Sequence, residues 1–119
     1  MSADPFKAKA YLMEGCPFSF KFLLFVTEAG IGDRFELISC NPDAPDFEAV
    51  KARLESALNK PATFPTVEIA PGRYLADSDA LIGYYAARHD AAPDRLPALS
   101  FYLETVMPQL RRLHEIDAP

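Results

Sequence analysis

The stretch Tyr11–Thr27, YLMEGCPFSFKFLLFVT, constrains this chain more than any other. A short apolar run with strand character reaches Gly15-Cys16-Pro17, and a dense apolar segment follows without a break. Gly15 supplies a turn, and Pro17 suits the first turn of a helix, where its missing N–H is not needed. The pattern predicts a strand over 7–13 and a helix over 18–29. Phe18, Phe20, Phe22, Leu23, Leu24, Phe25 and Val26 leave that helix little polar surface, so it should be buried against a sheet on one side and another layer on the other. Gly30 and Gly32 end it.

The remaining segments follow in an order that names the fold class. Arg34 to Cys40 reads as a second strand, closed by Asn41-Pro42. Asp46 is placed to cap a helix carrying Phe47, Val50, Leu54, Ala57 and Leu58 on one stripe, and Lys60-Pro61 stops it. Phe64 to Ala70 is the third strand. Pro71-Gly72 turns it into a fourth, Arg73 to Ala76. Asp77 or Ser78 caps a helix over 79–89 with Ala80, Leu81, Tyr84, Tyr85 and Ala87 inward. A last amphipathic helix runs over 98–116 with the stripe Leu99, Tyr102, Leu103, Val106, Leu110 and Leu113, and Pro108 should kink it. The first two strands, joined by a helix, should be parallel, and the last two form a hairpin. The expected fold class is therefore α/β: a four-stranded mixed sheet of βαβ-ββα type with flanking helices, plus one extra C-terminal helix.

Composition narrows the function classes. The 119 residues suit one domain with a core that needs no disulfide or metal staple. A net charge of −5 without a Lys/Arg cluster argues against nucleic acid as a partner. No apolar run is long enough to span a membrane, and the N-terminal MSADPFKAKAYL does not read as a signal peptide. Two cysteines without a leader suggest a cytoplasmic chain with free thiols.

Ligands of such sheets bind beyond the carboxyl ends of the parallel strands, which is where Cys16 falls. An ordinary thiol is only a few per cent ionised at pH 7, whereas the free N–H groups and dipole of a helix N-terminus can bring its pKa to about 3.5–7.5. Glu14 opposes that shift, and Lys7 and Lys21 favour it. The alternative is a cysteine that merely packs as a small hydrophobe.

Cys16-Pro17-Phe18-Ser19 resembles the active-site tetrad of glutaredoxins and cysteine-type glutathione transferases. FPTVEI and RYLADSDALIGYYAARH resemble the second half of a glutathione transferase N-terminal domain, which is thioredoxin-like. The resemblance covers about Ala8 to His89. It implies a glutathione-binding domain over 1–92, with 93–119 a linker and an amphipathic helix packed on it or at a homodimer interface. It further implies that Cys16 is the nucleophile and glutathione the co-substrate, with Phe18 and Ser19 beside it. Pro65 matches the family's cis-proline, which lets the Phe64 backbone pair with the cysteinyl part of glutathione. Asp77 and Ser78 match the pair that holds the γ-glutamyl end, and both also suit a plain helix cap.

Departures from the pattern shape the expectation. Ser19 leaves no second thiol in the tetrad, so a monothiol route through a glutathione mixed disulfide is expected. Thr63 stands where the family often has a lysine for the glycyl carboxylate, with Lys60 or Lys21 as substitutes. A full transferase adds a helical domain that receives the hydrophobic co-substrate, and this sequence offers a single helix there. A non-catalytic glutathione-binding or protein-interaction module is therefore the competing reading. Cys40 is either a resolving thiol or a buried inert one. His89 and His114 read as helix-end surface residues, and no set of residues has metal-site spacing. Tyr11 is the other conceivable catalytic group, but it sits inside the first strand.

Overall fold

A computed structural model describes residues 6–117 of the chain, with side chains to 113. The side chain of His114 and residues 1–5, part of the N-terminal segment read for a leader, lie outside the described residues. Four strands, β1 (Ala8–Met13), β2 (Phe35–Cys40), β3 (Thr66–Ala70) and β4 (Arg73–Ala76), form one sheet in the order β2-β1-β3-β4. The β1–β2 pair is parallel, and the β1–β3 and β3–β4 pairs are antiparallel. This is the thioredoxin-like mixed sheet that the element order predicts.

Helix α1 (Pro17–Glu28) crosses from β1 to β2, α2 (Phe47–Leu58) from β2 to β3, and α3 (Ser78–His89) follows β4. The pleat of β1 sorts them. Ala10 points into a core shared by Phe22, Phe25 and Val26 of α1 with Leu81, Ile82 and Tyr85 of α3. Its neighbour Tyr11 points to the opposite face, where Phe47 and Leu54 of α2 and Cys40 close a smaller cluster. The dense apolar content of α1 is thus explained: it lies between the sheet, α3 and the chain's last helical rod.

That rod comprises α4 (Pro97–Phe101), a π-helical turn (Tyr102–Val106) and α5 (Met107–Asp117). The irregularity expected at Pro108 lies in the turn before it. Proline has no N–H to donate and its ring crowds the carbonyl four residues back, so the preceding turn widens and Met107 N–H reaches the carbonyl of Tyr102. The extra residue shifts the phase of the apolar stripe. Met107 is buried, whereas Val106 and Leu113 of the predicted stripe are exposed. The inward face of α3 differs in a similar way: Ile82 is buried, and Ala80 and Ala87 are exposed.

The rod begins on α1. Its first turn has Pro97 at the leading position, and the next two amides, Ala98 and Leu99, donate to the Glu28 carboxylate at 2.7 and 2.8 Å. An anion placed on a helix N-terminus satisfies free donors and complements the dipole. Leu99, fully buried, then enters the core beside α1. Glu28→Ala is expected to cost about 1–2 kcal/mol, in the range of a lost helix cap. Urea denaturation should show a lower midpoint with an unchanged slope.

Candidate functional site

The strand register gathers the chemistry-bearing residues at one end of the sheet. Met13, last in β1, pairs with Cys40, last in β2. Because β3 runs against β1, its first residue, Thr66, lies beside Tyr11, and the segment leading into it comes from the same end. Thr66 also pairs with Ala76, so β4 leaves towards α3 there too. Cys16, Phe64-Pro65 and Asp77-Ser78 thus emerge from three adjacent strands.

Gly15 adopts φ +81, a left-handed conformation suited to glycine, and turns the chain from β1 into α1. Cys16 takes the N-cap position in extended conformation with Pro17 as the first helical residue, and its side chain makes no capping bond. The amides of Phe18 and Ser19 are therefore left among the free donors of the first turn. Ser19 is buried, and its hydroxyl accepts from Met13 N–H at 3.0 Å, tying the strand end to the helix start. Phe18 is partly exposed, with the Arg111 guanidinium 5.4 Å from its ring centre.

The Cys16 thiol, half-buried, donates to the carbonyl of Phe64 at 3.7 Å. The Phe64-Pro65 peptide is cis, Pro65 is fully buried, and the Phe64 ring stacks on Phe47 at 5.8 Å. Thr63, at the position where the family often has a lysine, accepts from the Thr66 hydroxyl at 2.6 Å through its carbonyl. At the third wall, Asp77 adopts φ +82, and its carbonyl starts α3 by accepting from Leu81 N–H. Neither Asp77 nor Asp46 makes the side-chain cap that its position suggests. Ser78 is buried at the start of α3. The neighbouring Asp79 is ion-paired with Lys21. The Lys21 side chain is only 6% exposed and that of Asp79 is 80% exposed, so the pair draws a buried cation of α1 out to the rim at Ser78. Lys21 is thereby committed to Asp79, and Lys60 lies exposed beyond α2.

Beside Cys16 opens a cavity of about 510 Å³. Leu12, Phe20 and Leu23 form one wall, and Tyr102, Val106 and Leu110 of the last rod form the other. The polar rim includes Glu14, which accepts from the Ser39 hydroxyl at 2.9 Å. The contribution of the rod was legible only as an apolar stripe with a tyrosine in it. Which neighbour that stripe meets depends on the π-helical turn and on contacts far apart in sequence.

The other candidates stand apart from this turn. Cys40 is buried and free, its thiol donating to the Ile38 carbonyl. Burial raises its pKa, and the charge of Asp46 adds to the rise. Tyr11 is buried within β1, with the Arg53 guanidinium 5.8 Å from its ring centre. His89 stacks on Tyr85 at the end of α3. Among the described residues, no group of three or more His, Cys, Asp or Glu side chains is placed to hold a metal ion, and no helix is long and apolar enough to cross a membrane.

Comparison with known proteins decides the family. The model of the glutathione S-transferase N-terminal domain matches residues 15–88. The chain belongs to this family. Among solved structures, it resembles a possible glutathione S-transferase from Rhodopseudomonas palustris, with 26% identity, a TM-score of 0.56 and coverage of 90% of this chain and 56% of that one. A glutathione transferase family member from Pseudomonas fluorescens, solved with bound glutathione, is 22% identical with a TM-score of 0.54, covering 70% of this chain and 38% of that one. A diazinon-metabolizing glutathione S-transferase from the silkworm Bombyx mori is 20% identical with a TM-score of 0.54, covering 83% and 52%. At these identities the last two support the fold alone. The chain spans between 38% and 56% of the length of these three relatives. No curated protein matches it.

The two thiols of this transferase-family chain differ in access and surroundings. At pH 7.5 the raised pKa of Cys40 leaves it little thiolate, and burial blocks the reagent. Iodoacetamide should therefore label Cys16 at least roughly tenfold faster, as read by peptide mass spectrometry.

Proposed function

We propose that this chain carries out glutathione-dependent thiol chemistry with Cys16 as the nucleophile. The observation that carries the reading is the meeting of Cys16, at the open N-terminus of α1, with the Phe64 carbonyl ahead of cis-Pro65. Glutathione would lie across the same end of the sheet. Its cysteinyl backbone pairs with Phe64 in the manner of an added strand, next to Pro65. Its γ-glutamyl carboxylate sits at Ser78 and the start of α3, and its ammonium group beside Asp77. Phe18 and Ser19 flank the sulfur. The family match, and the glutathione bound to the Pseudomonas fluorescens relative, support this choice of ligand.

The reaction is an exchange at sulfur. The Cys16 thiolate attacks the glutathione sulfur of a mixed disulfide R–S–SG, forming Cys16–S–SG and releasing R–S⁻. The thiolate of a second glutathione then attacks the glutathione sulfur on Cys16, giving glutathione disulfide and restoring the Cys16 thiolate. The released R–S⁻ takes the proton lost by that second glutathione. Ser19 provides no resolving thiol, so the route is monothiol. The apolar cavity beside Cys16 favours a second activity at the same site, cysteine-type transfer of glutathione to an apolar electrophile, since its walls offer little to a charged group.

In this reading residues 1–92 form the glutathione-binding unit of a cytoplasmic protein, and 93–119 form the linker and helix that wall the cavity or meet a second copy. Phe101 and Leu113, 64% and 58% exposed, are the residues through which the rod would pair in a homodimer. The competing assignment, a module that binds glutathione without turning it over, shares the groove and lacks the ionised thiol.

Cys16→Ser is expected to lower reduction of a glutathionylated peptide at least hundredfold, whereas Cys40→Ser should keep most of the activity. Equal rates in wild type and Cys16→Ser would overturn the mechanism. Calorimetric binding of glutathione by a wild-type protein whose Cys16 titrates near 8.5 would favour the binding module.

A further inference from the structure

The last rod does more than close the cavity, because one of its side chains reaches the turn that carries Cys16. Tyr102 is 4% exposed. Its hydroxyl donates to the carbonyl oxygen of Pro17 at 2.6 Å, across 85 residues of sequence. Its ring meets Phe20 edge-on at 5.1 Å, and its own carbonyl accepts the long hydrogen bond of the π-helical turn. Burial raises the phenol pKa, and the neighbouring Cys16 adds to the rise, so the hydroxyl keeps its proton and acts as a donor at neutral pH.

The acceptor chosen by this hydroxyl matters. The Pro17 carbonyl and the Phe18 N–H belong to one amide group. Pro17 itself has no N–H, so Phe18 carries the first free amide donor of α1. A hydrogen bond donated to a carbonyl polarises its amide and makes the N–H on the same group a better donor, a cooperative gain of about 10–30% per bond. The thiol's present bond to Phe64 uses its proton. When Cys16 ionises, that proton passes to solvent water, the bond to Phe64 is given up, and the sulfur anion depends on the amide donors at the helix start.

We propose that Tyr102 is a positioning residue for Cys16, acting through the Pro17–Phe18 amide to fix the first turn of α1 and strengthen its donors towards the thiolate. The inference rests on the reading of Cys16 as an ionised nucleophile. Charged groups on the elements around the turn are Glu14, held by Ser39; Arg111, over Phe18; and, at the start of α3, Asp77 and the Lys21-paired Asp79. Removing the Tyr102 hydroxyl changes none of these charges.

The test is the pH dependence of Cys16 alkylation by iodoacetamide in the full chain carrying Cys40→Ser, with and without Tyr102→Phe. The variant should raise the midpoint by about half a unit, which lowers the thiolate fraction roughly threefold below the midpoint. Glu28→Ala is the control, since it loosens the same rod at its far end; it should lower the melting temperature and leave the midpoint in place. A Tyr102→Phe midpoint that stays or falls, or one that rises equally in Glu28→Ala, overturns the proposal. The two readings fail separately. A parent midpoint near 8.5 tells against the Cys16 thiolate itself, whereas a low parent midpoint unmoved by Tyr102→Phe tells against Tyr102 alone.

Discussion

Within this sheet, β1 alone has neighbours of opposite direction on its two sides, and the rest of the molecule depends on that constraint. The parallel partner β2 requires a crossover, which α1 supplies, so the carboxyl end of β1 must hand over to a helix N-terminus. The antiparallel partner β3 must begin where β1 ends, which brings its leading proline to the same place. A thiol, a helix start and the backbone carbonyl of Phe64 are thus brought together by strand direction. Side-chain contacts only refine their spacing.

Two electrostatic arrangements sit on that frame, and both link parts of the chain distant in sequence. Glu28 at the end of α1 holds the first turn of the last rod, and Lys21 in the middle of α1 reaches Asp79 at the start of α3. Helix α1 is apolar on most faces, yet it offers one anion and one cation to its neighbours. A surface ion pair contributes little on its own, but a buried ammonium with an exposed carboxylate fixes where α3 begins relative to α1. Ser78, the residue beside that carboxylate, inherits the placement.

Much of this was legible in the sequence because the signals were local. Proline or glycine punctuates most element boundaries, and the spacing of apolar residues separates strands from helices. The order of elements and the strand pairing followed from these. The cysteine-proline tetrad and the Asp-Ser pair led to the family resemblance for the same reason: their residues are contiguous. What escaped was non-local. Nothing near Ala98 shows that its amide will meet Glu28, and nothing near Tyr102 points to Pro17. On α3, Ile82 takes a core position and Ala80 and Ala87 stay exposed, while Tyr84 packs partly against the core with the Arg88 guanidinium 3.5 Å from its ring centre. Capping aspartates were read from residue type, and the backbone turns at Asp46 and Asp77 without using their side chains.

The π-helical turn at Tyr102–Val106 has a consequence for how such a site can diverge. Residues before it, such as Leu99, are bound to the core and have little freedom to vary. Val106 at its end and Leu110 after it face the cavity. The wide turn holds one residue more than a regular α-helical turn, so a single deletion there would restore regular helix and leave the residues on either side on their present faces. The same deletion in regular helix would rotate everything downstream by roughly 100°. The turn is therefore a point where one codon can be lost while both the wall of the cavity and the sheet keep their places, so length can vary there at less cost than anywhere else in the rod.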